Sequence, residues 1–219
     1  MENKQQQQLQ DYLRAVLQKN EEINLTTIQD FDEGLVLHIE DSLVGLEEVN
    51  RAPAGQLADL GTGGGFPGVP LAIMTQRDVL LVDSTKKKVE AIMGLVESIQ
   101  IPRVQAYAGR IEELALEQPG RFSVATARAL SELPSLLELA APLLVPGGRL
   151  IAYKSNKVEE ELQRAATLEE KLGMKHISRR DLVLSDGVTP RSILVFEKVV
   201  EPAVKLPRRP GMAQKRPYA

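Results

Sequence analysis

The sequence predicts an α/β protein built on a mostly parallel sheet, closed by an antiparallel hairpin at its carboxyl end and preceded by helices. Three observations predict it. From residue 56 to residue 172, short apolar runs alternate with longer segments of helical periodicity, the order that a parallel sheet with crossover helices requires. The first of these runs, 56–60, passes directly into Gly61-Thr62-Gly63-Gly64-Gly65-Phe66-Pro67-Gly68, a turn in which backbone can bend sharply and approach a ligand without Cβ atoms in the way. The last two runs, 177–184 and 191–199, are joined only by 185–190. That link has no room for a crossover helix, so the two must pair antiparallel.

Residues 5–19 read as a helix with Leu9, Leu13, Val16 and Leu17 on one face. A connector, 20–30, leads to a second helix that Asp32 can cap, with Leu35, Ile39, Leu43 and Leu46 on its apolar side. Pro53 and Gly55 end it. Both helices precede the first strand, so they pack at a sheet edge or over the mouth of its ligand site. After strand one comes a short helix reaching Met74, then strand two over 79–83 and a helix turning Val89, Ile92, Met93, Val96 and Ile99 inward. Strand three covers 103–107, and Gly109-Arg110-Ile111-Glu112-Glu113 opens the next helix. Strand four, 122–127, is followed by a helix over 131–144; the turn Val145-Pro146-Gly147-Gly148 leads into strand five, 148–153. A helix over 156–172 presents an outer face of almost continuous charge, a solvated surface. The chain divides into a helical segment (1–55) packed on the core, a main domain (56–201) and a basic tail (202–219).

Hydrophobic residues make up 43% of the 219, with no Trp and only four Phe and four Tyr, so the core must be aliphatic. The absence of cysteine excludes disulfides, thiolate–metal sites and a cysteine nucleophile, including the thiolate attack used in methylating cytosine C5. No metal site is expected. No stretch approaches a membrane span and the glutamine-rich start is no signal peptide, which leads to the expectation of a soluble, cytoplasmic monomer. A net charge of −3 names no partner, but its distribution does. Lys205, Arg208, Arg209, Lys215 and Arg216 follow Glu201 with no acid among them, and Lys86-Lys87-Lys88 form a second cluster. Basic segments of this kind suit a polyanionic substrate. Three prolines and a glycine between 206 and 218 argue against a helix there, so the tail is expected to track a phosphate backbone and add little to the core. The alternative is that it folds back, its arginines pairing with acids.

Val79-Leu80-Leu81-Val82-Asp83 ends in a carboxylate about twenty residues after the glycine turn, the usual partner of ribose hydroxyls. An adenosine-bearing cofactor at the carboxyl ends of the strands follows. Two cofactors compete. Gly63, Gly65 and Gly68 satisfy the G-x-G-x-x-G pattern of a dinucleotide site. Against this, Asp59 stands two residues before Gly61 and Pro67 lies inside the turn. The order Asp59-Leu60-Gly61-Thr62-Gly63-Gly64-Gly65 resembles the first motif of S-adenosylmethionine-dependent methyltransferases, where an acid suits a cofactor carrying an ammonium and a sulfonium. A parallel sheet finished by one reversed strand is also the Rossmann-like architecture of class I methyltransferases, whereas nicotinamide dehydrogenases continue with a second parallel half.

Strand four runs into Thr126-Ala127-Arg128-Ala129-Leu130. Enzymes that methylate adenine or glutamine amino groups carry there an acid or Asn followed by Pro-Pro and an aromatic, so that chemistry is disfavoured. Arg128 tolerates a nucleophile whose lone pair is already free, and can hold a carboxylate or phosphate. The chain resembles the bacterial 16S rRNA guanine-N7 methyltransferase family, also called the glucose-inhibited division protein B family. The resemblance rests on Asn24-Leu25-Thr26, His38 with Asp41-Ser42-Leu43, the stretch from Asp59 to Gly68, Asp83-Ser84-Thr85, Gly109-Arg110-Ile111-Glu112, Arg128-Ala129, Pro146-Gly147-Gly148 and Leu206-Pro207-Arg208-Arg209-Pro210-Gly211. Lys154-Ser155 departs from the family's usual Lys-Gly.

The resemblance implies methylation of N7 of one guanine in the 530 loop of 16S rRNA, on the free RNA or in the small ribosomal subunit. By position it implies cofactor contacts at Gly61, Phe66, Asp83, Ser84, Thr85, Ile111, Glu112 and Arg128, with Asp59, Gly63 and Gly65 supporting the loop. Asp83 can accept two ribose hydroxyls, Glu112 stands where an adenine amine is read, and Phe66 offers an apolar wall. Guanine N7 carries no proton, so transfer needs alignment more than a base, and no catalytic acid or base is assigned. RNA contacts are assigned to Lys205, Arg208, Arg209, Lys215 and Arg216. Each site residue has a plainer role open to it: Asp83 as a helix cap, Arg128 as a partner of Glu132, Glu112 as a first-turn carboxylate, His38 as a hydrogen-bonded structural histidine. A small-molecule methyltransferase, a non-catalytic cofactor-binding module or an NAD-dependent oxidoreductase would share the glycine motif; only a polyanionic substrate uses the basic tail.

Overall fold

The structure, a computed structural model, describes residues 2–155 and 158–218, with side chains from residue 4 onward. Seven strands form one sheet: β1 (Leu57–Leu60), β2 (Val79–Asp83), β3 (Val104–Ala108), β4 (Phe122–Arg128), β5 (Leu144–Lys154), β6 (Met174–Val183) and β7 (Pro190–Lys198). Their spatial order is β3-β2-β1-β4-β5-β7-β6. Neighbours among the first five pair parallel, while β7 runs antiparallel to both β5 and β6. From β1 the chain runs outward through β2 to β3, then crosses back to β4 on the other side of β1. A crevice therefore opens between the loops after β1 and β4, where ligands of open α/β sheets bind.

Helices cover both faces. On one lie α1 (Glu2–Asn20), the broken segment α2 (Phe31–Gly34), a π-helical turn (Leu35–Glu40) and α3 (Asp41–Leu43), then α4 (Leu46–Arg51), α5 (Gly68–Thr75) and α6 (Lys86–Ser98). On the other lie α7 (Ile111–Glu117), α8 (Leu133–Ala140), α9 (Glu159–Ala166), α10 (Glu169–Leu172) and α11 (Met212–Lys215). Strand residues alternate between the two cores: Ala58, Leu60, Leu80 and Val82 face one, Leu57, Val79 and Leu81 the other. Burial on both faces is why these strands read as continuous apolar runs. Among the described residues, no helix is long and apolar enough to cross a membrane.

Four elements differ from the sequence expectation. The second helix is capped by Asp30, whose carboxylate accepts from Glu33 N at 2.8 Å, and not by Asp32. The helix expected over 131–144 stops at Ala140, and β5 starts at Leu144. Leu144 already pairs with Phe122, but the next pair is Val124 with Arg149, so Pro146 and Gly147 sit in an irregularity of the strand. A bulge accommodates a proline that a regular ladder excludes. The helix expected over 156–172 is two pieces, α9 and α10; residues 156–157 lie outside the described residues. The fourth difference, in the tail, bears on the site.

Arg77 fixes the N-terminal helices to the sheet. Its guanidinium donates to the carbonyls of Val49, Ala52, Pro53 and Gly55 at 2.7–3.2 Å, which span the whole link from α4 to β1.

Candidate active site

The glycine turn is shaped from beneath by Asp59. That residue is fully buried in β1; Oδ2 accepts from Thr62 Oγ1 (2.6 Å) and Gly68 N (2.9 Å), and Oδ1 from Thr126 Oγ1 (2.9 Å). Burial pushes its carboxyl above the usual range. Both oxygens are engaged inside the protein, where they fix the loop. Gly61, Gly63 and Gly65 have φ of 70°, 57° and 85°, the left-handed region that glycine enters without strain. At Gly65 a Cβ would also run into Tyr12 Oη, and Tyr12 donates to Gly64 O at 3.0 Å. The first helix thus braces the turn from above.

Asp83 closes the other side. Its Oδ2 accepts from Gly63 N (3.1 Å) and its Oδ1 from Thr85 N (2.8 Å), so one carboxylate spans the glycine turn and the start of α6. The Thr85 side chain makes no cap bond there; its backbone orients Asp83. Gly61, Asp83, Ser84, Ile111 and Glu112 line one cleft of about 160 Å³, which Gln214 of the tail completes. Phe66 is not part of that wall. Its ring is 4% exposed, stacked on His38 (4.4 Å between centroids, 2° between planes) and edge-on to Tyr12 at 5.6 Å.

A second recess, about 520 Å³, opens beside the first and is lined by His38, Asp41, Arg128, Tyr153, Lys154 and Arg191. Arg128 does not pair with Glu132, which binds Arg164 instead. Its Nη1 donates to Asp41 Oδ2 (2.8 Å) and Leu37 O (2.9 Å), and Arg191 grips the same carboxylate through Nε (2.7 Å) and Nη2 (3.2 Å). Two guanidiniums on one buried carboxylate leave this recess electropositive. His38 is hydrogen-bonded to Thr26 Oγ1 at 2.7 Å, and burial together with the Arg128 charge lowers its pKa to about 4. It is a neutral, packed histidine, as the plainer expectation had it. Lys154, at the departure from the family pattern, is held by Glu161 (2.7 Å) and Ser131 O (3.1 Å).

The two recesses share Ala129. Its φ of 54° is uncommon for a residue with a Cβ and is the sort of backbone strain that clusters at functional sites.

The tail departs from the first of its two expected readings and follows the alternative, folding back on the core. It contains the short helix α11, and Val204, Leu206 and Tyr218 pack against the core that buries Ala213. Arg208 forms a bidentate pair with Glu138, Nε–Oε1 at 2.5 Å and Nη2–Oε2 at 2.6 Å, with its guanidinium 4.1 Å from the centre of the Tyr218 ring. Gly211 N donates to Glu112 Oε1 at 2.6 Å, so the carboxylate expected to meet an adenine amine already holds the tail. Arg208 is thus a tether, while Lys205, Arg209, Lys215 and Arg216 are exposed. Sequence reasoning assigned no role to Asp41, Arg191 or Gln214. For Asp41 the signal was its place with His38 in a stretch that carries the family resemblance, and the other two had none.

Comparison with known proteins adds the following. The GidB family model, described as rRNA small subunit methyltransferase G, matches residues 5–209. The ribosomal RNA small subunit methyltransferase G of Streptococcus suis is 36% identical over 220 residues, covering 98% of this chain and 92% of the relative. That of Alkaliphilus metalliredigens is 33% identical, covering 99% and 92%. Among solved structures, precorrin-6y C5,15-methyltransferase from Geobacter metallireducens aligns over 80% of this chain and 91% of its own, at a TM-score of 0.56 and 13% identity. Geranyl diphosphate C-methyltransferase from Streptomyces coelicolor, solved with S-adenosyl-L-homocysteine, aligns over 73% and 77% at a TM-score of 0.56 and 14% identity. At such identities these structures show a shared fold.

Proposed function

Because the chain belongs to the rRNA small subunit methyltransferase G family, we propose that it transfers the methyl group of S-adenosylmethionine to N7 of a guanine in the 530 loop of 16S rRNA. The observation that carries the reading is the pair of recesses meeting at Ala129. One is built for an adenosine-bearing cofactor, with a carboxylate at the end of β2, a glycine turn beside it and the apolar Ile111 beyond. The other is a polar, cationic recess large enough for a base.

When bound, S-adenosylmethionine supplies an electrophilic methyl group on a positively charged sulfur. Asp83 and the turn at Gly61 hold it by the ribose, and Ser84, Ile111 and Glu112 bound the adenine end. Guanine N7 has a free lone pair, so the protein's task is placement. Arg128 and Arg191, oriented by Asp41, are suited to the guanine O6 or to an adjacent phosphate. His38 is locked between Thr26 and the Phe66 ring and is not used as a base; rate comes from approximation and electrostatics. The exposed Lys205, Arg209, Lys215 and Arg216 of the tail, with Lys86 and Lys87 at the start of α6, suit phosphates of the RNA.

Two measurements test this. N7-methylguanine is mapped in 16S rRNA from cells with and without the protein, and disappears from the 530 loop in its absence. Neutralising Lys205, Arg209, Lys215 and Arg216 lowers the log–log salt slope of RNA binding by up to about 0.7 per lost single-strand phosphate contact. An unchanged methylation map refutes the assigned substrate, and an unchanged slope refutes the assigned RNA face.

A further inference from the structure

We propose that Gln214, carried by the C-terminal tail, is a cofactor-binding residue that reads the base edge of the adenosine. This rests on the cofactor occupying the cleft that ends at Asp83.

The cleft draws nearly all its walls from the carboxyl ends of β1 to β4 and the helices that follow them. Gln214 is the exception, brought in from a segment that joins no strand. A tail residue near a cleft means little if the tail is loose, but this one is pinned at three points around Gln214. Arg208 is locked to Glu138, of which 2% of the side chain is exposed. Gly211 is hydrogen-bonded to the buried Glu112. Ala213, the neighbour of Gln214, is 1% exposed. The carboxamide is therefore presented from a fixed backbone, and preorganisation of this kind is what lets a single polar contact count in binding.

Its position decides which part of the cofactor it meets. Asp83 stands at the end of β2, and Gln214 borders the cleft with Glu112 and Ile111 at the start of α7, beyond the next strand. With the ribose on Asp83, the base lies toward α7. There Ile111 and Leu139 offer apolar surface, and one oxygen of Glu112 is already engaged by Gly211 N. The edge of adenine formed by its 6-amino group and N7 presents a donor and an acceptor side by side, and a carboxamide complements both, whereas in inosine both atoms of that edge accept. Among the described residues that line the cleft Gln214 is the only carboxamide, and the Ser84 hydroxyl, which offers both roles on one atom, follows Asp83 on the ribose side. The same cluster makes the tail part of the cofactor site, where the sequence alone suggested an RNA-tracking arm.

The test is calorimetric titration of the full-length protein with S-adenosylhomocysteine and with its inosine analogue, in which the 6-amino group is an oxygen. Gln214→Ala is expected to weaken S-adenosylhomocysteine binding about tenfold, the scale of one hydrogen-bonded contact, and to change binding of the inosine analogue much less, so that discrimination between the two narrows. Its melting temperature stays that of the wild type because the side chain is exposed. Asp83→Ala is the control for the cleft. If Asp83→Ala loses affinity while Gln214→Ala binds like the wild type, the proposal fails and the cleft stands. An equal loss for both ligands in Gln214→Ala overturns the assignment to the base edge. Wild-type affinity in Asp83→Ala refutes the placement of the cofactor itself.

Discussion

Replacing Arg208 by Met gives the strongest test of how the tail is held. The arginine faces a carboxylate of which 2% of the side chain is exposed, is itself 18% exposed, and binds it through two nitrogens at 2.5 and 2.6 Å. A further bond from Nη2 to Arg216 O at 2.7 Å closes the tail on itself. Removing one partner of such a pair strands a charge in low dielectric, which costs about 3–5 kcal/mol. For a chain of this size each kcal/mol lowers the melting temperature by about 2–4 °C, so Arg208→Met is expected to melt about 6–20 °C below the wild type. The loss arises mostly from the stranded carboxylate. The double variant Arg208→Met with Glu138→Leu therefore recovers most of it, since apolar replacement of a buried pair is often neutral. Thermal melts followed by far-UV circular dichroism at low and high salt make the measurement, with Arg209→Met as the exposed control, expected within about 0.5 kcal/mol of wild type. A buried pair escapes screening that would erase a surface one. A melting temperature for Arg208→Met within about 2 °C of wild type, or a deficit that vanishes in high salt, refutes the picture of a docked tail.

Two more perturbations follow from the site. Asp83→Ala loses charge-assisted hydrogen bonds to the ribose and the tie to Gly63 N, and is expected to weaken S-adenosylhomocysteine by about 1–3 kcal/mol, read by calorimetry; unchanged affinity contradicts the ribose assignment. His38, lowered to about 4 from an ordinary value of 6.5, binds fewer protons folded than unfolded. Its contribution is complete above about pH 6.5 and lost as pH falls toward 4, by up to about 3 kcal/mol. His38→Gln cannot titrate, so the urea-derived stability advantage of the wild type over this variant is expected to shrink across that window. The opposite slope from Asp59, raised by burial, is common to both proteins and cancels. Parallel pH curves for the two proteins are the contrary result.

Legibility in the sequence followed the range of the interaction. Strand β2 was readable to the residue because it is a short apolar run buried on both faces, and the glycine turn because Gly61, Gly63 and Gly65 need left-handed backbone. Helix–strand boundaries failed where a bulge let Pro146 sit inside β5. The partners of Asp59 were not readable, because a strand pattern shows that a residue is inward, not which polar groups wait there; Thr126 comes from another strand. The tail's prolines and charges suggested solvent, yet Glu138 stands alone in the apolar helix Leu133–Ala140, and a lone buried carboxylate asks for a cation from elsewhere in the chain. That clue pointed to Arg208 without naming it. Gln214 left none, because its place depends on where the whole tail docks.

The carboxylate of Asp41 is gripped by a side chain 150 residues later, Tyr153 Oη reaches Ser42 O across 111 residues, and Gly211 N reaches Glu112 across 99. These spans also order events in time. At about 5–20 residues per second of synthesis, roughly 8–30 s separate the appearance of Asp41 from that of Arg191. Until then the early helices have no complete sheet to lie on, and the cationic recess lacks one of its two guanidiniums. Neither recess can exist on a half-made chain. A nascent polypeptide still threaded through its ribosome therefore has no formed site with which to modify ribosomal RNA, and becomes competent only after the hairpin and the tail have left the exit tunnel and docked.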